Sequence, residues 1–166
     1  MQPAALFCYA AAMPRDFPVG RRNAGSAANH LFNVETESRQ QMVDITDEVQ
    51  SIVKKSGASD GVAMVYVPHT TAGITIQENA DPDVQTDVLA KLDQLMPKGE
   101  AMYKHGEGNS DAHLKTMFVG NSVNVLVDRG QLLLGRWQAI YLCEFDGGRK
   151  RTVAVKVLDV SPKELD

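Results

Sequence analysis

The sequence is short of cysteine and of positive charge, and each shortage excludes a class of protein. Two cysteines, Cys8 and Cys143, among 166 residues are too few to build a disulfide framework. Cys143 lies in an apolar run, which predicts a buried free thiol and a cytoplasmic location. The net charge of −4 provides no general attraction for nucleic acid. No apolar run is long enough to cross a membrane, so we expect neither nucleic acid nor a membrane as partner.

Two regions of different composition divide the chain. Residues 1–29 are rich in alanine, proline, glycine and arginine and show no lasting periodicity. We interpret them as an N-terminal extension or the product of an upstream start, with a cleaved signal peptide as the alternative. Residues 30–166 are predicted to form a single domain, because their length is sufficient for one hydrophobic core.

Alternating side chains predict about eight strands in the domain. The clearest alternation is in the last strand, where Val153, Val155 and Val157 alternate with polar or small residues. A turn sequence at 128–130 indicates a hairpin with a three-residue loop, and hairpins make the sheet mainly antiparallel. With two or three helices between the strands, the predicted fold class is α+β, packed as a compact sandwich or barrel-like domain.

Two helices are indicated by the residues at their ends. The first begins near Thr46, which is followed by two acidic residues, and stops at Gly57. The second begins with Asp81 as N-cap and Pro82 at the first helical position. Its predicted buried stripe consists of Val84, Val88, Leu92 and Leu95.

Residues 105–113 carry two histidines, two carboxylates, an amide and a hydroxyl beside two glycines. A third helix follows, with Asn109 or Ser110 as its N-cap. Its predicted apolar face consists of Leu114, Met117 and Phe118. His113 then lies in the first turn, where the helix dipole favours neutral imidazole and free N–H groups favour phosphate. We interpret the segment as a site for a metal, an anion or both; the alternative is a solvated loop before a capped helix.

Three histidines are predicted to lie at the ends of structural elements. His69, His105 and His113 all have polar neighbours, and none belongs to an apolar stripe. Three imidazoles at open corners suit a catalytic type of metal site with room for water or substrate. The alternative is that one or two of them are ordinary hydrogen-bonding loop residues.

Further polar residues are candidates around these histidines. Glu78 and Asn79 end a strand and have no structural role that the sequence reveals, so we expect them to position substrate or metal-bound water. Asp111 is either a partner that orients the imidazoles or a complement to the helix dipole. The candidate substrate- and phosphate-binding residues are Thr70, Ser110, Asp111, Arg129 and Arg151.

Four stretches of the sequence resemble the signatures of the YjbQ family, in unbroken order from about residue 30 to 160. The first is VPHTTAGITI at 67–76 with ENADPDV at 78–84. The second is YKH at 103–105 with DAHLK at 111–115. The third and fourth are residues 130–135 with the Trp137-Gln138 pair, and EFDGGRKR at 144–151.

The resemblance implies properties that spacing alone does not show. The family fold is a compact α+β domain that assembles as a homotrimer. Members are described as secondary thiamine-phosphate synthases, with weak activity in joining a pyrimidine pyrophosphate to a thiazole phosphate. A histidine-lined pocket is thought to hold a metal, which corresponds here to His69, His105 and His113.

The function expected from the sequence is that of a metal-assisted enzyme acting on phosphorylated small molecules. In the thiamine reaction, a divalent ion (zinc or magnesium), the helix start at Ser110 and His113, and Arg129 or Arg151 would neutralise the departing pyrophosphate. One alternative is metal-dependent hydrolysis of a phosphate ester, for which the same groups would activate water. Another is a non-catalytic trimer that binds a metal or a metabolite.

Overall fold

The computed structural model describes residues 29–160, so most of the predicted N-terminal extension lies outside the described residues. The strands are β1 (Asn29–Glu35), β2 (Gln41–Asp44), β3 (Asp60–Tyr66), β4 (Ala72–Glu78), β5 (Ser122–Asp128), β6 (Gln131–Leu132), β7 (Gln138–Glu144) and β8 (Lys150–Asp159). The helices are α1 (Thr46–Ser56), α2 (Pro82–Leu95) and α3 (Ser110–Val119). None of these three helices combines the length and apolar character needed to cross a membrane.

The strands form two antiparallel sheets, which confirms the predicted α+β fold. Sheet A has five strands in the order β1-β8-β3-β5-β6, and sheet B has three in the order β2-β7-β4. The predicted hairpin at 128–130 is present as the β5–β6 turn. Asp128 pairs with Gln131, so the loop has two residues rather than three. Arg129 and Gly130 have φ angles of 49° and 73°, which is the left-handed pair that such a turn requires.

The main core lies between the two sheets. Val153, Val155 and Val157 of β8 are buried there, as their alternation predicts. Sheet B contributes Ile74, Ile140 and Leu142 from its inner face, and α1 contributes Val49 and Val53. The predicted limits of α1 are confirmed, although its N-cap is Ile45, and Asp44 accepts a hydrogen bond from the Thr46 N–H.

A second core lies on the other face of sheet B, beneath α2 and α3. Tyr141, Cys143 and Phe145 are buried there with Leu92 and Ala112. Burial raises the pKa of the Cys143 thiol to about 12, so this cysteine stays protonated.

The packing of α2 and α3 departs from the predicted stripes. In α2 only Leu92 is fully buried, and Leu95 is 56% exposed. The residues predicted as the buried face of α3 are exposed: Leu114, Met117 and Phe118. The inner side of α3 instead carries Asp111, Ala112, Lys115 and Thr116, because Arg39 and Asp93 from other segments pair there with Asp111 and Lys115.

The outer face of sheet A has an apolar centre that no described element covers. The register places its exposed apolar residues on one face: Leu31, Met64, Tyr66, Leu126 and Leu158. An apolar surface of this kind on four neighbouring strands is typical of an interaction site.

A close contact between β4 and the end of α3 provides a test of the packing. A Cβ at Gly73 would lie 2.7 Å from the Gly120 carbonyl oxygen and 3.0 Å from Val119 Cγ1. We expect Gly73→Ala to lower the free energy of unfolding by about 1–3 kcal/mol, as overpacking does. Gly106→Ala is the control, since a Cβ there meets nothing within 4 Å. Equal stability of both variants in urea denaturation would contradict the contact.

Candidate functional site

An open cavity of about 580 Å³ lies where the chain enters α3. The rings of His105 and His113 meet there with their centroids 5.3 Å apart and their planes at 82°. The loop that places them turns at Gly108, whose φ is 69° and whose N–H donates to the His105 carbonyl oxygen. The lining residues are Met102, Tyr103, Lys104, His105, Ser110, His113 and Leu114. This stretch therefore brings two of the three predicted histidines into one pocket.

The start of α3 is left without a side-chain cap. Asn109 is the N-cap residue, as predicted, but its side chain makes no capping hydrogen bond. Its amide Nδ2 donates instead to Asp146 Oδ2 at 2.9 Å, and its buried Oδ1 has no hydrogen-bond partner in the part of the chain that the structure describes. The N–H groups of Ala112 and His113 donate to the Asn109 carbonyl oxygen, which leaves those of Ser110 and Asp111 available for an anion.

Asp111 does not face the pocket, contrary to its predicted role in binding substrate. Its carboxylate is buried and receives two hydrogen bonds from Arg39 Nη2, at 2.8 and 2.9 Å. Lys115 Nζ, also buried, donates to it at 3.2 Å. Burial alone would raise the pKa of Asp111, but the bonds from Arg39 and Lys115 hold it below its ordinary value. The ionised carboxylate is therefore fully engaged inside the protein.

Arg39, which the sequence does not single out, joins the pocket to the turn after β7. Besides Asp111 it donates to Asp146 Oδ1 at 3.2 Å, and its carbonyl oxygen accepts the Gly147 N–H. Arg149 pairs with the other oxygen of Asp146 at 2.7 Å. Arg39 lies in a short polar loop between β1 and β2, where no periodic pattern distinguishes it from a solvated arginine.

His69 lies just beyond the end of β3. Its ring accepts a hydrogen bond from β8 at a position that β3 no longer reaches. Its Nε2 accepts the Thr152 N–H at 2.9 Å, so the neutral ring carries its proton on Nδ1. Burial lowers the pKa of His69, the charge of Arg151 lowers it further, and Glu144 opposes them in part. Within residues 29–160 the ring does not join His105 and His113, and no three histidine, cysteine or carboxylate side chains gather as metal ligands.

Arg151 is buried beside His69 in an ion pair with Glu144. Arg151 Nε donates to Glu144 Oε2 at 2.6 Å, and its Nη2 donates to Glu144 Oε1 and to Thr71 Oγ1. Burial would raise the pKa of Glu144, but its bonds with Arg151 hold it low. Arg151 is thus not the accessible phosphate-binding residue that the sequence predicts. Thr70, the neighbouring candidate, is exposed.

The comparisons with known proteins agree with the fold described above. Residues 30–160 match the family described as UPF0047 protein YjbQ-like. This chain belongs to the YjbQ-like family. YugU of Bacillus subtilis is 49% identical over 127 residues, which cover 76% of this chain and 96% of YugU. A YjbQ-like protein of Methanocaldococcus jannaschii is 47% identical over 76% of this chain and 91% of its own.

Solved structures show the same fold. A YjbQ-family protein of Clostridium acetobutylicum superimposes with a TM-score of 0.76 at 50% identity, covering 78% of this chain and 99% of its own. A Sulfolobus solfataricus protein, described as of unknown function, gives 0.77 at 33% identity and covers 81% and 98% of the two chains. The family and the fold predicted by the resemblance are therefore confirmed, whereas the Clostridium protein is described as uncharacterised.

In this YjbQ-like chain the strand-end candidate Asn79 has a structural role. Asn79 Oδ1 accepts the hydroxyl of Tyr141 at 2.6 Å, and its Nδ2 donates to Asp44 at 2.9 Å. The carbonyl oxygen of Glu78 accepts from the same hydroxyl at 3.4 Å. Asp81 caps α2 through the Asp83 N–H, as predicted. Asn79 thus joins the end of β4 to β7 and β2 within sheet B, and neither Asn79 nor Glu78 lines the histidine pocket.

Arg129 lies far from the other candidates. The register of β3 with β5 pairs Asp60 with Asp128, so Arg129 follows β5 at the opposite end of β3 from His69. Seven residues of extended strand put about 20 Å between the two ends. Its guanidinium is 89% exposed and, among residues 29–160, pairs only with the adjacent Asp128 at 3.3 Å. The predicted contribution of Arg129 to the same site is not supported within one chain.

The hydrogen bond from Thr152 predicts a stability that depends on pH. The lowered pKa of His69 means that the folded protein favours the neutral ring. Its contribution is complete above the unfolded value of about 6.5 and is lost as the pH falls through the folded pKa. We expect His69→Gln to remove this part of the loss in urea denaturations between pH 7.5 and 5, and His30→Gln to retain it. An unchanged pH profile in His69→Gln would contradict this assignment.

Proposed function

We propose that this chain binds a phosphorylated heteroaromatic small molecule in the His105–His113 pocket and acts on it as an enzyme. The observation that carries the proposal is a single cavity at the start of a helix, lined by apolar side chains on one part and by polar and basic side chains on another. Binding pockets of small molecules combine apolar walls with a few convergent polar groups in this way.

The polar groups suit phosphate oxygens. Lys104 brings a positive charge, His105 and His113 offer ring N–H groups, and Ser110 offers a hydroxyl at the first position of α3. The uncapped first turn of α3 adds backbone N–H groups and the positive end of the helix dipole. Together they would stabilise the negative charge of a pyrophosphate group.

The apolar side of the pocket suits a planar ring. Met102, Tyr103 and Leu114 line it, and Met102 is 74% exposed. A phosphorylated ring would replace water on these side chains while its phosphates meet the histidines. The two ends of the cavity thus correspond to the two parts of the ligand.

The reaction that we propose is the one implied by the family resemblance. The thiazole nitrogen attacks the methylene carbon of the pyrimidine pyrophosphate, a C–N bond forms, and the C–O bond to the pyrophosphate breaks. The electron pair of that bond leaves with the pyrophosphate. Lys104, His105 and Ser110 stabilise the leaving group, as preorganised donors do where charge develops. No separate nucleophile is needed, since the thiazole supplies it.

The proposal includes a divalent ion, zinc or magnesium, held by two histidines rather than the three expected from the sequence. His105 and His113 are close enough to bind one ion together, whereas His69 has committed its Nε2 to Thr152. Two imidazoles are an incomplete set, so the remaining ligands would be oxygens of the substrate. When bound, the ion would neutralise the pyrophosphate as a Lewis acid.

Pyrophosphate is the probe that tests the pocket. By calorimetry we expect wild type to bind it more tightly with Mg²⁺ or Zn²⁺ than with EDTA, and His105→Ala and His113→Ala to weaken binding about tenfold or more, as for lost charge-assisted hydrogen bonds. His69→Gln is the matched control and should bind normally. No binding by wild type, or loss in His69→Gln alone, would contradict the pocket.

Product analysis with the pyrimidine pyrophosphate and the thiazole phosphate tests the reaction itself. Pyrophosphate released together with a coupled product supports the transferase. Inorganic phosphate without a coupled product supports the hydrolase alternative, and binding without turnover supports a non-catalytic protein. Unchanged pyrophosphate release by the His105→Ala, His113→Ala double variant would exclude this pocket as the catalytic site.

We also propose that the chain forms a homotrimer through the outer face of sheet A. The number three comes from the family resemblance. The support on this chain is the uncovered apolar face, where Met64 and Leu126 are 42% and 58% exposed. Covering such a surface with further copies removes it from water, and stable interfaces bury about 800 Å² on each partner.

Sedimentation equilibrium tests this assembly. We expect trimers in wild type and monomers in Met64→Glu, Leu126→Glu, because two carboxylates per chain would be buried without partners. Leu95→Glu is the control, since Leu95 is equally exposed but lies on α2. A monomeric wild type would contradict the trimer, and dissociation of the Leu95 variant alone would move the interface to α2.

A further inference from the structure

The chain segment that forms the pocket includes an aspartate whose carboxylate does not line the cavity. Asp111 lies between Ser110 and His113, both of which line the cavity, yet its own side chain is 1% exposed and points into the protein. An ionised carboxylate this close to the pocket repels an anion even from beneath the surface, since little water screens it. The charge of Asp111 must therefore be compensated if the pocket is to accept phosphate.

Two cations provide this compensation from inside. Arg39 grips both carboxylate oxygens at 2.8 and 2.9 Å, and Lys115, one helical turn further along α3, approaches at 3.2 Å. The two cations have further partners: Arg39 contacts Asp146, and Lys115 contacts Asp93 at 2.5 Å. Arg149 completes the cluster on Asp146. Three cations face three carboxylates, so the cluster as a whole is neutral.

We infer that Arg39 sets the charge preference of the His105–His113 pocket, by cancelling the field of Asp111 so that the pocket accepts a pyrophosphate group. This rests on the proposed function of the pocket. Arg39 is a positioning residue, because it lies outside the pocket lining and acts through Asp111. Without it, the cluster beneath the pocket carries one excess negative charge.

Arg39 is the member of the cluster that can be changed without removing a core residue. Its side chain is 30% exposed, whereas that of Lys115 is fully buried. After loss of Arg39, Asp111 still has Lys115 and Asp146 still has Arg149. Replacement of Lys115 would instead leave a space in the interior and a buried carboxylate with one partner fewer.

A charge cycle at Arg39 and Asp111 tests the inference, with pyrophosphate in EDTA as the probe. We expect Arg39→Gln to weaken binding about five- to tenfold, Asp111→Asn to tighten it, and the double variant to return to within about twofold of wild type. Arg39→Lys keeps the charge and should bind nearly normally. Lys54→Gln, the same charge change on exposed α1, is the control and should have little effect.

The outcomes separate this inference from the proposed function. If wild type binds no pyrophosphate, the pocket is not an anion site, and both are overturned. If wild type binds but Asp111→Asn weakens binding as Arg39→Gln does, the cluster has only a structural role and the inference alone is overturned. If Arg39→Gln does not fold, Asp111→Asn against Arg39→Lys decides: tighter binding in the first and normal binding in the second support the inference, and any other pair overturns it.

Discussion

The buried ion pair of Glu144 and Arg151 is the contact on which the arrangement of the two sheets depends. Glu144 ends β7 in sheet B and Arg151 lies at the start of β8 in sheet A, so the pair joins the sheets at one corner. Thr36 also donates to Glu144, and the N–H groups of Phe145 and Asp146 donate to its other oxygen. Removal of one partner of such a pair costs about 3–5 kcal/mol, because the other charge stays buried.

The same ion pair also helps to fix the position of the pocket. By holding the backbone of Asp146, Glu144 fixes the turn on which Arg39, Asn109 and Arg149 all converge. The loop before α3 is thus attached to the rigid corner of the sheets through side chains. A site placed in this way is preorganised, even though its histidines lie on a glycine-containing loop.

The sequence predicts the strands well because their signal is local. Val153, Val155 and Val157 face the core as their alternation requires, and only one solution satisfies that pattern. The prediction of an apolar face for α3 is wrong for the opposite reason. The polar inner side of α3 pairs with residues distant in the chain, since Asp111 meets Arg39, 72 residues away, and Lys115 meets Asp93, 22 residues away. Pairings over such distances leave no periodic trace.

The candidate site is predictable to the same extent. His105 and His113 lie within one local segment, and the structure brings them together as the segment suggests. His69 is different, since its ring nitrogen is claimed by a backbone group 83 residues away. Residue type and loop position made His69, Arg151 and Asn79 look available, whereas each is occupied by a partner that only the tertiary fold supplies.

The burial of Cys143 makes its reactivity a measure of how often the α2–α3 layer opens. A protonated thiol, 2% exposed beneath α2 and α3, reacts with an alkylating reagent only while those helices are away from sheet B. With Cys8 replaced by serine, Cys143 is the sole thiol in the chain. Its labelling rate then measures how often the helix layer lifts, separately from the frequency at which the core between the sheets comes apart.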